Sequence, residues 1–194
     1  MANTSATGGY LSPAVASPPQ EDASLDAIIQ QAVAGITGLS GSLVRPRWQP
    51  TTPKVPEASV DWCALGITAQ EADAGPYLLH QPAGDGTDSY VRHEDITVSC
   101  TFYGPDSQQN AAALRDGLAI PQNVEALKAQ GISFVACGPI RAVPELFNQQ
   151  WVKRQDIEVQ LRRKVTRTYS TLSLLTTTTT LTTDTRGQMG IITN

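Results

Sequence analysis

Apolar residues recur at every second position in some stretches of the chain and at every third or fourth in others, and these periods predict most of its elements. In SYVRHEDITVSCTFYG (89–104), Ile96, Val98, Cys100 and Phe102 share one side while Thr97, Ser99 and Thr101 share the other, the period of a strand. QDIEVQLRRKVTRTY (155–169) alternates likewise and places Ile157, Val159, Leu161, Val165 and Tyr169 together. Leu25, Ile28, Ile29, Ala32, Val33 and Ile36 instead form a helical face, which predicts a helix over 24–35 with Ser24 as N-cap and Gly35 and Gly38 at its end. VDWCALGITA reads as a buried strand at 60–69, YLLHQ as a shorter one, and PAGDGTD as a turn cluster. SLVRPRWQP holds a short extended run, and a Pro-rich link then reaches Pro56. Pro105-Asp106 closes the long strand and caps a helix through SQQNAAALRDGLA, and Pro121 opens a further helix stopped at Gly131. ISFVACG reads as a buried strand and PELFNQQW as a short helix started by Pro144. This order predicts an α/β (α+β) fold: a mixed β-sheet flanked by helices, with extended N- and C-terminal arms.

The arms follow from composition. Residues 1–22 are rich in Pro, Gly and Ser and offer only Tyr10, Leu11 and Val15 as sizeable apolar groups, too little to offset the entropy of ordering. SLLTTTTTLTTDTRG (173–187) is dominated by threonine, whose branched Cβ disfavours helix, so it is either disordered or a strand awaiting a partner. The expected organisation is a flexible arm at 1–22, a domain at 23–170 and a Thr-rich extension at 171–194. Only 16% of residues are charged, below the roughly 25% usual for a soluble domain. The net charge of −4 is the wrong sign for a protein held to nucleic acid by generic phosphate contacts. No stretch approaches the ~20 apolar residues of a bilayer span, and no basic-then-apolar leader is evident, so no membrane partner is expected.

Two features stand out. Residues 155–169 as one uninterrupted strand reach roughly 50 Å at ~3.3 Å per residue, whereas a body of this size is only ~40 Å across. The strand then overhangs its domain and needs a partner, for which another copy of the chain is a candidate; two shorter strands in a bent hairpin are the alternative. The second is segregated charge. From Glu57 to Asp106 there are nine acids against Arg92 alone, and from Arg141 to Arg167 seven bases against three acids. On separate faces these make a bipolar subunit suited to head-to-tail contact; on neighbouring strands they cancel.

Catalytic chemistry is hard to assemble from this chain. His80 and His93 are its only histidines, and no Walker loop, GxSxG elbow, HExxH or dinucleotide fingerprint occurs. GDGTD (84–88) resembles a fragment of a calcium loop but lacks the ligand spacing and closing Glu. Cys63, Cys100 and Cys137 lie in apolar contexts and read as buried thiols of a reducing compartment. No catalytic residue, metal site or cofactor is therefore expected. The hydrolase alternative rests on Asp85, Asp88, His93 and Glu94. Trp62 is expected in the core, and Trp48 and Trp151, beside basic and polar neighbours, either there or between subunits.

VRPRWQPTTPKVPEASVDWCALGI (44–67) resembles the neck or tail terminator (tail completion) proteins of tailed bacteriophages, in its RPRWQ strand, Pro-rich link and D-W-C-A-x-G strand. The long strand near 96–102, helices near 107–130 and a basic strand near 155–169 follow in the expected order over about residues 22–170. The resemblance implies a structural virion subunit, not an enzyme, assembled in the host cytoplasm as a homohexameric ring. That ring caps the tail tube and joins it to the head-side connector or neck protein, with sheath or collar proteins as further neighbours. It also implies subunit or neck contacts at Arg45, Arg47, Trp48, Trp151, Lys153, Arg154, Arg162, Arg163, Lys164 and Arg167. Asp85, Asp88, Glu94 and Asp95 become candidates to face a channel that DNA crosses only in transit. The arms would clasp neighbouring subunits or rings by strand addition. The alternative is a head-completion or baseplate connector of related build.

Overall fold

A computed structural model describes residues 3–14, 20–51, 53–147, 149–173, 178–180 and 191–193. Among the described residues three α-helices, α1 (Asp22–Thr37), α2 (Ser107–Gly117) and α3 (Glu125–Ala129), accompany a mixed sheet. Its strands are β1 (Val44–Pro46), β2 (Trp62–Ala72), β3 (Tyr77–Gln81), β4 (Thr87–Tyr103), β5 (Ile132–Cys137), β6 (Arg141–Ala142) and β9 (Arg154–Tyr169). The order is β1-β2-β4-β9-β5, with β3 on β4 and β6 on β9; β1 runs parallel to β2, and β2 antiparallel to β4. A separate hairpin joins β7 (Glu145–Phe147) to β8 (Gln150–Val152), and β10 (Thr178–Thr180) pairs antiparallel with β11 (Ile191–Thr193). The expected mixed sheet with helices is therefore present.

By contact the chain divides into two units, one of residues 1–18, 78–90 and 167–194, the other of residues 19–77 and 91–166. In the larger unit Leu25, Ile29 and Val33 of α1, Ala111 and Leu114 of α2 and Leu127 of α3 form the core with Cys63, Leu65, Ile96, Val98, Cys100 and Phe102. The alternations read from the sequence are what make this possible: one side of each strand is apolar, and the helices lie on it. α1 begins at Asp22, two residues before the expected N-cap Ser24. Arg163 of β9 explains the early start, because its guanidinium donates to the Gln20 carbonyl at 2.6 Å and fixes the chain there. Gly38 closes the helix in the left-handed region (φ 76°), its N–H bonded to the Ala34 carbonyl.

PELFNQQW is not a helix. Leu146 and Trp151 face each other across the hairpin, with Gln149 at φ 63° in the turn. Leu146 pairs with Trp151 and Phe147 with Gln150, and the cross-strand Leu–Trp pair outweighs the helix-opening signal of Pro144. β9 is one continuous strand, which disposes of the bent hairpin. Its pairing is internal at several points: β6 takes Gln155 and Asp156, and β5 takes 159–163. In the smaller unit the Thr168 carbonyl accepts the Ala14 N–H at 2.7 Å. The partner expected from another copy is thus supplied at these positions by the chain itself. Thr178–Thr180 take the extended form favoured by threonine and pair with Ile191–Thr193, while the rest of the Thr-rich run, 174–177 and 181–190, lies outside the described residues.

All three cysteines are free. Cys63 and Cys100 are buried, and burial together with the adjacent Cys100 thiol pushes Cys63 well up; burial pushes the half-buried Cys137 to about 11. Thiols so protonated are poor nucleophiles at neutral pH.

Candidate assembly surface

The face of the sheet away from the helices carries Trp48, Trp62 and Tyr103. After β1 the chain turns back over this face, its Arg47 N–H bonded to the Leu65 carbonyl at 2.7 Å and its guanidinium donating to the Thr101 hydroxyl. That contact is why Thr101, on the polar side of β4, is fully buried. Trp48 follows with φ 56°, an outlier for a bulky residue and of the kind that persists only where surroundings over-determine it. Gly66 is the reason it fits: a Cβ there would lie 2.6 Å from Cζ3 of the indole. The ring rests on bare backbone and leaves the side chain 72% exposed.

Beside it Trp62 and Tyr103, directly opposed across β2 and β4, stack with centroids 4.4 Å apart and planes 8° from parallel. Trp62 is half-buried here and not in the core as expected, because its strand position puts it on the helix-free face. The Arg45 guanidinium lies 5.9 Å from the indole centroid and that of Arg154 5.8 Å from the phenol ring, cation–π distances both. Hollows open on either side of the stack. One, of about 350 Å³, is lined by Trp48, Pro53, Val55 and the stacked pair; the other, of about 140 Å³, by Val55, Phe147, Val152 and the same pair.

A polar network borders the stack. Arg154 grips Asp156 through two bonds of 3.0 and 2.9 Å and reaches Glu145 at 3.3 Å. Burial raises the Asp156 carboxyl, but hydrogen bonds from Arg154 and Thr101 outweigh it and hold the group below the ordinary range. A depressed carboxyl stabilises the fold above its unfolded pKa and loses that contribution as pH falls through the folded one. Asp156→Asn should therefore shrink the loss of stability between about pH 5 and pH 2, by up to about 1 kcal/mol given its solvent exposure. Urea unfolding of both proteins across that range measures it.

Elsewhere the acidic and basic segments meet. In the larger unit Arg162 binds Asp95 at 2.8 Å and Asp73 at 3.0 Å. Arg163, only 5% exposed, holds Glu94 at 2.8 Å on the helix side of the sheet. In the smaller unit Asp88 is buried and bonds His80 Nδ1 at 2.6 Å, while Ser173 Oγ lies 3.2 Å from Nε2. Among the described residues no group of three or more His, Cys, Asp or Glu is placed to hold a metal ion.

The sequence model of phage neck terminator proteins matches residues 23–188 of the 194. The chain belongs to that family. No curated protein sequence matches it. Membership makes this neck terminator chain a structural component of a virion, in keeping with the resemblance carried by residues 44–67.

Of the ten basic and aromatic residues singled out in this terminator, Arg45, Arg47, Trp48 and Arg154 come together around the stack. Trp151, 71% exposed, and Lys153 lie on the hairpin and just after it. Arg162 is engaged by two acids on the exposed face, Lys164 is exposed and Arg167 half-buried. Arg163 corrects the expectation of a surface contact, because its parity on β9 turns it into the core side. Among the acids, Glu94 and Asp95 are neutralised by Arg163 and Arg162, Asp88 is buried against His80, and Asp85 is exposed. Charge therefore cancels across the β4–β9 neighbours at these positions. Tyr103, Val55, Leu146 and Phe147 were not singled out, although the strand-end positions of Trp62 and Tyr103 in adjacent strands bring them level.

Proposed function

We propose that this terminator assembles as a homohexameric ring, a closed set of copies that caps the tail tube and joins it to the head-side connector.

 A central passage admits DNA in transit, and the tail tube protein, the connector and any sheath or collar protein are its neighbours in the particle. Assembly takes place in the host cytoplasm. The observation that carries this reading is the aromatic surface: exposed Trp48, Phe147 and Trp151 near the half-buried Trp62–Tyr103 stack, in a chain whose family is built into a virion. Continuity of β9 no longer contributes, since its pairing is largely internal. A passage lined by acids would keep DNA phosphates from sticking; Asp85 is the exposed member of the four acids considered, and pairing with Arg163 and Arg162 weakens the field of Glu94 and Asp95.

Depleting this chain during infection tests the proposal. The expected result, by electron microscopy, is filled heads beside unjoined tails, with label on the chain in complete particles found between tube and connector. Normal joined particles without it, or label at the baseplate, would overturn the assignment.

A further inference from the structure

The larger unit carries two apolar features of opposite shape. The first is the hollow of about 350 Å³ between Trp48 and the Trp62–Tyr103 stack, at the β1–β2 end of the strand order. The second is the β7–β8 hairpin, which enters β9 on the side of β6 and β5. Side chains alternate across its two strands, so Glu145, Phe147, Gln150 and Val152 share one face and Leu146 and Trp151 the other. The first of these faces turns inward, with Glu145, Phe147 and Val152 lining the smaller hollow. Leu146 and Trp151, 59% and 71% exposed, therefore project away from it as a ridge.

We propose that the Leu146–Trp151 ridge of one copy seats in the Trp48-walled hollow of the next. This rests on the ring reading above and names its contact. The occupant is a second copy because the two features are complementary and not alike. The groove lies on one side of the Trp62–Tyr103 stack and the hairpin on the other, and a groove of one copy taking the ridge of the next is a head-to-tail contact, the arrangement that closes into a ring when its rotation allows. A twofold contact would also pair groove with ridge, twice over, but would stop at a dimer; the ring reading calls for the head-to-tail form. Area agrees: Trp48, Trp151, Leu146 and Val55 together expose roughly 500 Å² of apolar side chain, taking ~150–250 Å² for each aromatic group. That is the apolar centre of an interface of about 1,600 Å². Trp48 is also held in place beforehand by Gly66 and by its left-handed backbone, so little side-chain freedom is lost when the ridge arrives.

The test uses the full-length protein and two variants, Trp48→Ser and Trp151→Ser, followed by sedimentation over a range of concentrations. Both indoles are mostly outside the core, so circular dichroism and thermal melts should match the wild type and show that each variant folds. The wild type should form a closed oligomer, and each variant alone should need at least tenfold more protein to associate. Mixed in equal amounts, the two variants should form a one-to-one pair, since W48S keeps its ridge and W151S keeps its groove. Variants that assemble like an oligomeric wild type, or that fail to pair on mixing, would overturn this contact and leave the ring standing. A wild type that stays monomeric up to near-millimolar concentration would overturn the ring and the contact together.

Discussion

Arg163→Ala is expected to destabilise the fold by about 3–5 kcal/mol, because it strands a buried carboxylate and frees the start of α1. The guanidinium is 5% exposed, holds Glu94 at 2.8 Å and donates to the Gln20 carbonyl at 2.6 Å. Removing it leaves Glu94, whose side chain is 15% exposed, without its cation. Urea unfolding of Arg163→Ala, Glu94→Ala and the double variant forms a cycle. The double variant should lose less than the sum of the two single losses, while additive losses would mean that the pair does not interact. Exchanging both for leucine and methionine should restore most of the stability, since a well-packed apolar pair often equals a buried ionic one.

Gly104→Ala is the second large effect, at about 3 kcal/mol, of which ~1–3 is backbone strain. Gly104 ends β4 with φ 106°, a conformation that L side chains rarely adopt. A Cβ there would also meet the Val60 carbonyl oxygen at 2.7 Å and the Asp61 Cα at 2.8 Å, both backbone atoms. The site has little room to yield. Its N–H is bonded to the Lys153 carbonyl at 3.2 Å, and two residues on, the Asp106 N–H is held by the Asp61 carboxylate at 2.8 Å. A thermal melt should show a midpoint lower by about 10 °C, and an unchanged midpoint would mean that the turn relaxes freely.

Much of this fold was legible because burial followed period. Ile96, Val98, Cys100 and Phe102 alternate in sequence and are all buried, as are Ile157, Val159, Leu161 and Val165. Arg163 shares the parity of the second set and Glu94 that of the first, so both turn inward, although residue type alone suggested a surface contact for one and a channel acid for the other. What the sequence withheld was that β4 and β9 are neighbours, the fact that turns two isolated inward charges into a pair. The hairpin at 145–152 was hidden for a different reason: Pro144 opens helices and edge strands alike, and only the Leu146–Trp151 contact separates them. Of the candidate site, Arg45, Arg47, Trp48 and Trp151 were readable from residue type. The meeting of Arg45, Arg47 and Trp48 with Trp62 and Tyr103 depends on strand register and on a turn after β1, neither of which leaves a local signature.

The contact between Trp48 and Gly66 has a consequence for descent. Any side chain acquired at position 66 collides with the indole, and any smaller residue at 48 uncovers the backbone it shields. Substitution at either position is tolerated best when the other changes with it, so the two should have drifted as a pair among relatives that diverged from this chain.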